Sequence, residues 1–123
     1  MPFACEFEEM DGFLRCVARG SIRNSRELTE YAETILAEAE RVGARRILLQ
    51  EKALDTSLSA FDAVLLVKNL DKLLGPGPRR RIALVHVPDN EAAVRSFETV
   101  FRNRGYRHRM FLDEEAASRW LMA

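Results

Sequence analysis

Arg46-Ile-Leu-Leu-Gln50, followed by Asp55-Thr-Ser57 and then by the apolar segment Phe61 to Leu74, decides the fold. The stretch reads as a buried strand, a short polar loop and a helix. The same order recurs at Ile82 to Val87 followed by Asn90 to Arg104, and again at Tyr106 to Phe111 followed by Asp113 to Leu121. Consecutive parallel strands need a helical crossover between them, so a repeated strand–helix order implies an α/β architecture. Ile47-Leu48-Leu49 is a continuous apolar run, as expected of a strand covered on both faces, and Leu48 is expected to lie side by side with Leu84 of the next strand in that covered layer.

Working outward, Asp11-Gly12 is the strongest turn signal, because both residues tolerate the positive φ of a two-residue hairpin. It joins a strand at Phe3 to Glu9 with one at Phe13 to Arg19. Closing the hairpin there pairs Phe7 with Cys16 and Cys5 with Ala18, and gathers Phe3, Cys5, Phe7, Leu14, Cys16 and Ala18 on one face. The two cysteines are then diagonal neighbours, a spacing that disfavours an unstrained bridge. Asn24 with Glu27 forms a capping signal ahead of a helix whose Leu28, Tyr31, Ala32, Ile35, Leu36 and Ala39 make one apolar stripe, closed by Gly43. Ser59 with Asp62 is a second capping box. The helix from Ser59 to Leu74 is apolar over more than half its girth, so it is deeply buried or meets a partner.

After Gly75-Pro-Gly-Pro78 and Arg79-Arg80-Arg81 comes the second apolar strand, and Pro88-Asp89-Asn90 opens a helix with Ala93, Val94, Phe97, Val100 and Phe101 on one side. In the last strand Tyr106, His108 and Met110 alternate with Arg107, Arg109 and Phe111. Asp113 caps the final helix, which turns Ala116, Ala117, Trp120 and Leu121 inward.

Composition bounds the function. A chain of 123 residues makes a single domain over 1–123, and its 47% hydrophobic content is enough for a core. Lys plus Arg and Asp plus Glu each total 19, giving a net charge of zero, so no whole-molecule field draws nucleic acid or an anionic membrane. The longest apolar run, Ala63 to Val67, is far below the roughly 20 residues of a membrane span. The first residues show no signal-peptide pattern, so the expected compartment is the cytoplasm, with Cys5 and Cys16 as reduced thiols.

The joins after the inner strands share one sheet edge with the helix N-termini, where ligands and phosphates bind in parallel sheets. That edge collects Gln50, Glu51, Asp55, Thr56, Ser57, His86, Asp89, Asn90 and Asp113. Asp89, Asn90 and Asp113 are read as helix caps, while Asp55-Thr56-Ser57 is an equal candidate for a docking or modification site. His86 and His108 lie on different strands with no metal-ligand spacing, and Ser57 with His86 lacks a nucleophile elbow. No dinucleotide fingerprint or P-loop is present. No catalytic residue, metal or cofactor is therefore expected. Arg79-Arg80-Arg81 either holds a phosphate or acidic partner, or meets helix C-terminal carbonyls.

The element order resembles the STAS domain of bacterial anti-sigma-factor antagonists, and more closely the small stand-alone SpoIIAA-like proteins grouped as STAS/SEC14-like. The resemblance spans nearly the whole chain. It rests on Ala18-Arg-Gly-Ser-Ile22, Arg46-Ile-Leu-Leu-Gln50, Arg81-Ile-Ala-Leu-Val85 and the closing Met110-Phe-Leu-Asp-Glu-Glu-Ala-Ala-Ser-Arg-Trp-Leu121. It implies a mixed sheet of about five strands, an N-terminal hairpin followed by strand–helix units, and four helices. In antagonist domains an Asp-Ser-Ser-Gly step precedes the helix after the third strand, and its second serine is phosphorylated. Asp55-Thr56-Ser57-Leu58 occupies that place, which implies Ser57 as phosphoacceptor, Asp55 as its acidic neighbour and Asp55 to Ser59 as the loop met by a kinase or anti-sigma-like partner. Leu58 stands where the family has Gly, and its side chain crowds the backbone approach that glycine permits.

The expected function is thus non-enzymatic, a regulatory or protein-interaction module acting through Asp55, Thr56, Ser57, Leu58 and Ser59. The alternative is a small-molecule or lipid carrier with an apolar pocket under the 59–74 helix. Homodimerisation through the Phe3 to Glu9 edge or an apolar helix face is a further expectation.

Overall fold

The structure is a computed structural model that describes residues 2–75, 79–88 and 91–123, with backbone alone at 91–94. Its hairpin forms in the register the turn dictates. Strands β1 (Phe3–Glu9) and β2 (Leu14–Ile22) run antiparallel, with Phe7 opposite Cys16 and Cys5 opposite Ala18. Gly12 takes φ 93°, and the Met10 N–H donates to the Phe13 carbonyl across the turn at 2.8 Å. Both cysteines are free thiols. Strand β2 runs past the expected end at Arg19 to Ile22, and Phe13 stays in the turn.

Helix α1 (Ser25–Val42) begins where Asn24 accepts from the Glu27 N–H at 2.9 Å and ends at Gly43 in the left-handed region. The Glu27 carboxylate reaches back to the Arg23 N–H rather than to the cap residue itself. Then follow β3 (Arg46–Thr56) and α2 (Ala60–Leu74), the latter opened by the full Ser59–Asp62 capping box. Strand β4 (Arg81–Val85), helix α3 (Glu91–Asn103), strand β5 (Arg107–Phe111) and helix α4 (Glu114–Met122) complete the chain, with Asp113 accepting from the Ala116 N–H as the last cap. The expected breaker at Pro76–Pro78, the caps Asp89 and Asn90, and the side chains of Ala93 and Val94 lie outside the described residues.

The five strands lie in sequence order, β1-β2-β3-β4-β5, with every pair after the hairpin parallel. Three right-handed crossovers stepping the same way along a sheet put their helices on one face. Helices α1, α2 and α3 accordingly cover one side, and α4 alone packs on β3, β4 and β5 from the other. The core divides the same way. Leu48, Ala83, Val85, Ala117 and Leu121 form the α4 layer, while Ile47, Leu49 and the larger cluster face α1–α3.

Two expectations change. The third strand does not stop at Gln50 but continues for 11 residues to Thr56, because β2 is long enough to pair with it throughout. The register also sets Leu48 beside Ala83, not Leu84, so Leu48 and Leu84 sit on neighbouring strands but opposite faces. The overhang matters for the rim. Strand β4 stops pairing at Gln50, so Thr56 projects six residues, about 20 Å, beyond the level where β4 ends. The loops after β3 and β4 leave in the same direction but not at one place.

Leu48 is fully buried while Phe61 is 67% exposed, so the two should respond oppositely to truncation. Leu48→Ala should lower unfolding free energy by about 2–5 kcal/mol, and Phe61→Ser should change it by less than about 0.5 kcal/mol, both read by urea denaturation. Equal effects would contradict the two-sided layer.

Candidate functional site

The long β3 is interrupted once. Val17 pairs with Gln50 and Arg19 with Ala53, so three steps on β3 match two on β2. The extra residue falls at Glu51-Lys52, a β-bulge, which in parallel pairing is uncommon and re-aims side chains next to it. Before the bulge Leu49 and Glu51 face α1–α3; after it Leu54 and Thr56 do so, although strict alternation from Leu49 would have sent Ala53 and Asp55 there. The backbone N–H that the bulge frees at Lys52 donates to the Gln50 side-chain oxygen at 3.1 Å. The amide nitrogen of Gln50 donates in turn to Glu114 on α4, which also accepts two bonds from Arg15 at 2.9 and 3.0 Å. A polar clamp on the α4 face thus fixes the bulge that follows Glu51 and turns Leu54 and Thr56 to the α1–α3 face.

Glu51 points into a cavity of about 430 Å³ between the sheet and α1–α3. Leu28, Ile35, Leu66, Leu70, Phe97 and Phe101 make most of its apolar wall, with Leu49, Leu54, Ile82 and Leu84 as its floor. The Tyr31 hydroxyl donates to Glu51 Oε2 at 2.5 Å. Burial pushes the Glu51 carboxyl up to about 7, even though the Tyr31 bond pulls the other way. Burial, followed by the Glu51 charge, holds the Tyr31 phenol well above its ordinary range. Cys16, packed in the same core, is also raised, first by its hydrogen bond with Cys5 and then by burial, so it is not a reactive thiolate.

His108 is the second polar group of the cavity. Its ring stacks on Phe101 at 4.3 Å between centroids, and its buried Nδ1 has no hydrogen-bond partner. Burial lowers its pKa to about 4, so the ring is neutral. His108 pairs with Ile82, and Ile82 with Ile47, which sets it two strands and four residues from Glu51, about 16 Å. Glu40, Arg45, Arg79 and Arg80 line the cavity end near the start of β3 and β4, and Thr56 and Leu58 line the other. Among the described residues no cluster of metal-ligating side chains occurs.

No family model and no curated protein matches the chain. Among solved structures it is similar to the crystal structure of an uncharacterized protein of the DUF3478 family from Shewanella loihica PV-4, described as having a SpoIIAA-like fold. The two share 24% sequence identity and a TM-score of 0.56 over 97% of this chain and 93% of that one. The fold is SpoIIAA-like. The mixed five-stranded sheet and four helices anticipated from the sequence match that neighbour.

Within this SpoIIAA-like frame the anticipated loop is split between roles. Asp55 and Thr56 belong to β3, paired with Ser21 and Ile22, and Asp55 lies 3.8 Å from Arg23 in an exposed ion pair. Ser57 is exposed and its N–H donates to the Ile22 carbonyl at 3.0 Å. Leu58 turns into the cavity, and Ser59 caps α2. Ser57 therefore stands two residues ahead of the cap rather than at the helix N-terminus. The Ser57–His86 pairing does not form: His86 is buried beside β5, with Nδ1 2.8 Å from the Val87 carbonyl, about 20 Å of β3 overhang away. The three arginines all meet helix ends. Arg79 donates to Gly75 O, Arg80 to Ala44 O, and Arg81 to Trp120 O and Ala123 O. No helix among the described residues is long and apolar enough to cross a membrane.

Tyr31 and Glu51 were legible only as a stripe residue and a loop residue. Carrying the alternation of Leu49 two residues further along the strand sets Glu51 on the face that α1 covers with Tyr31.

Glu51 and His108 predict opposing pH effects. From about pH 4.5 to about 7 the unfolded chain has released the Glu51 proton while the folded chain keeps it, so rising pH lowers stability. From about pH 4 to 6.5 the unfolded chain binds a His108 proton that the folded chain refuses, so rising pH raises stability. Glu51→Gln removes the first effect alone. Its stability should climb more steeply than the wild type's between pH 4.5 and 6.5 and exceed it above pH 7 by about 3 kcal/mol. Denaturation curves that stay parallel across this range would contradict a buried Glu51.

Proposed function

We propose that this is a non-enzymatic binding module whose cavity beneath α2 takes a small, largely apolar molecule. The observation that carries the reading is the cavity itself. Its 430 Å³ falls in the range of about 300–1,000 Å³ typical of ligand sites, and its wall is apolar with a few converging polar groups. Unfilled apolar volume costs about 24 cal/mol per Å³ in engineered cores, so a space this large is poorly explained as slack packing. The polar groups are unlike a catalytic set. The Cys16 thiol and Tyr31 phenol are held protonated, and Glu51 and His108 are about 16 Å apart, too far to act on one atom.

N-phenyl-1-naphthylamine, a neutral dye that brightens in apolar surroundings, tests this. It should bind saturably with one site per chain. Leu36→Trp, which fills the cavity from α1, should weaken it at least about tenfold, while Phe61→Ser on the outside should not. A dye signal that ignores Leu36→Trp, or no signal, would contradict the reading.

A second reading, a phosphorylation-linked docking module, is favoured by exposed Ser57 and by Phe61 in the first turn of α2, an aromatic left 67% exposed. A phosphate on Ser57 would add about −1.5 to −2 charge beside the Arg23–Asp55 pair. Incubation with ATP and cell lysate followed by intact-mass analysis should then show one added phosphate that Ser57→Ala abolishes. An unmodified mass would remove this reading without touching the cavity.

A further inference from the structure

Glu51 is a carboxyl group set into an apolar cavity with one hydrogen-bond partner. Tyr31 occupies Oε2, and among the described residues no Lys or Arg pairs with either oxygen. The groups facing it from the neighbouring elements are Tyr31 on α1 and the thiols Cys16 on β2 and Cys5 on β1, none of them a cation. A carboxyl group desolvated by such a cavity and lacking a counter-ion stays protonated or gains from a cation brought in from outside. Glu51 shares the facing of Leu49 by plain alternation, and the bulge that follows it, held by the Gln50–Glu114 clamp, returns Leu54 and Thr56 to the same cavity side.

The cationic side chains at the cavity, Arg45, Arg79 and Arg80, line the end near the starts of β3 and β4, away from Glu51. Arg79 is bonded to Gly75 O and Arg80 to Ala44 O and Glu40, while Arg45 shares the outer rim with Glu40. His108 is neutral and reads as an apolar ring with one unmet polar atom.

We propose that the cavity's ligand carries a primary amine on an apolar chain or ring system, with the ammonium seated against the free oxygen of Glu51 and the tail running along the sheet toward His108. The amine donates to Oε1 while Tyr31 continues to donate to Oε2, so both carboxylate oxygens are satisfied. About 16 Å separates the two polar points, which gives the tail a medium-length span rather than that of a small polar amine. This assignment rests on the cavity being a ligand site, and the two are separable by experiment.

Decylamine, decanol and decanoate, each below its micelle concentration, are titrated as competitors of N-phenyl-1-naphthylamine at pH 8.5. At that pH Glu51 is ionised and decylamine is still protonated. The amine should displace the dye at about tenfold lower concentration than the alcohol, and the acid should be weakest, as expected for one charge-assisted hydrogen bond in a dry site. Glu51→Gln, which keeps the shape and folds at least as stably, should erase the amine's advantage and leave decanol within about threefold of wild type. Lowering the pH to 5.5 should shrink the advantage in wild type and leave the variant unchanged. Equal displacement by amine and alcohol, or tighter displacement by decanoate, overturns the amine assignment and leaves the cavity reading standing. Failure of all three to compete overturns both.

Discussion

The one-residue bulge at Glu51-Lys52 is the constraint on which the rest of this structure turns. It resets the alternation of β3 halfway along its 11 residues, so the first half offers Leu49 and Glu51 and the second half Leu54 and Thr56 to the same face. Without it, Leu54 would face away from α1–α3 and a polar Asp55 would be driven inward. The bulge exposes a backbone N–H, and the Gln50 side chain satisfies it while being held by Glu114, itself locked by Arg15. Thus a short polar chain linking β2, β3 and α4 governs what happens on the opposite side of the sheet.

That opposite side is where the fold leaves room. Helices α1–α3 arch over the sheet from one side because all three crossovers step the same way, and their side chains do not fill the space beneath. Stability is recovered elsewhere. The α4 layer is tightly packed, with Leu48, Ala83, Val85, Ala117 and Leu121 all without exposed surface. Side chains close several helix ends, with Arg79, Arg80 and Arg81 on C-terminal carbonyls and Arg81 also stacked over Trp120 at 4.3 Å. Tyr106 and Arg104 converge on Asp71 at 2.6 and 3.1 Å and tie the last strand to α2. The cavity is thus framed by well-anchored elements.

Most of the architecture was legible in the residues. The hairpin register followed from Asp11-Gly12, the three caps from Asn24, Ser59 and Asp113, and the parallel order from the repeated strand–helix pattern. What escaped was longer-range. Strand β3 was cut short because Glu51, Lys52 and Asp55 look like loop residues, and only pairing with an equally extended β2 keeps them in the sheet. The Leu48–Leu84 adjacency failed by one step of register, which is enough to place a side chain on the other face. Of the anticipated Asp55–Ser59 site, Ser59 acts as the cap its spacing to Asp62 indicated, while Leu58 becomes cavity wall, a role that depends on where α2 docks rather than on the local sequence. Tyr31 was hidden because its ring fits an apolar stripe, and only its hydroxyl, 2.5 Å from Glu51, gives it a polar task.

The carboxyl resonance of Glu51, followed by carbon-13 NMR across a pH titration of the ligand-free protein, tests this account most directly. A side chain on the cavity side of β3, shielded by the apolar wall, predicts a midpoint near 7, with the Tyr31 ring signals shifting in step. A midpoint near the ordinary 4.5, with Tyr31 unresponsive, would mean that the carboxyl sits in water and not against the cavity wall.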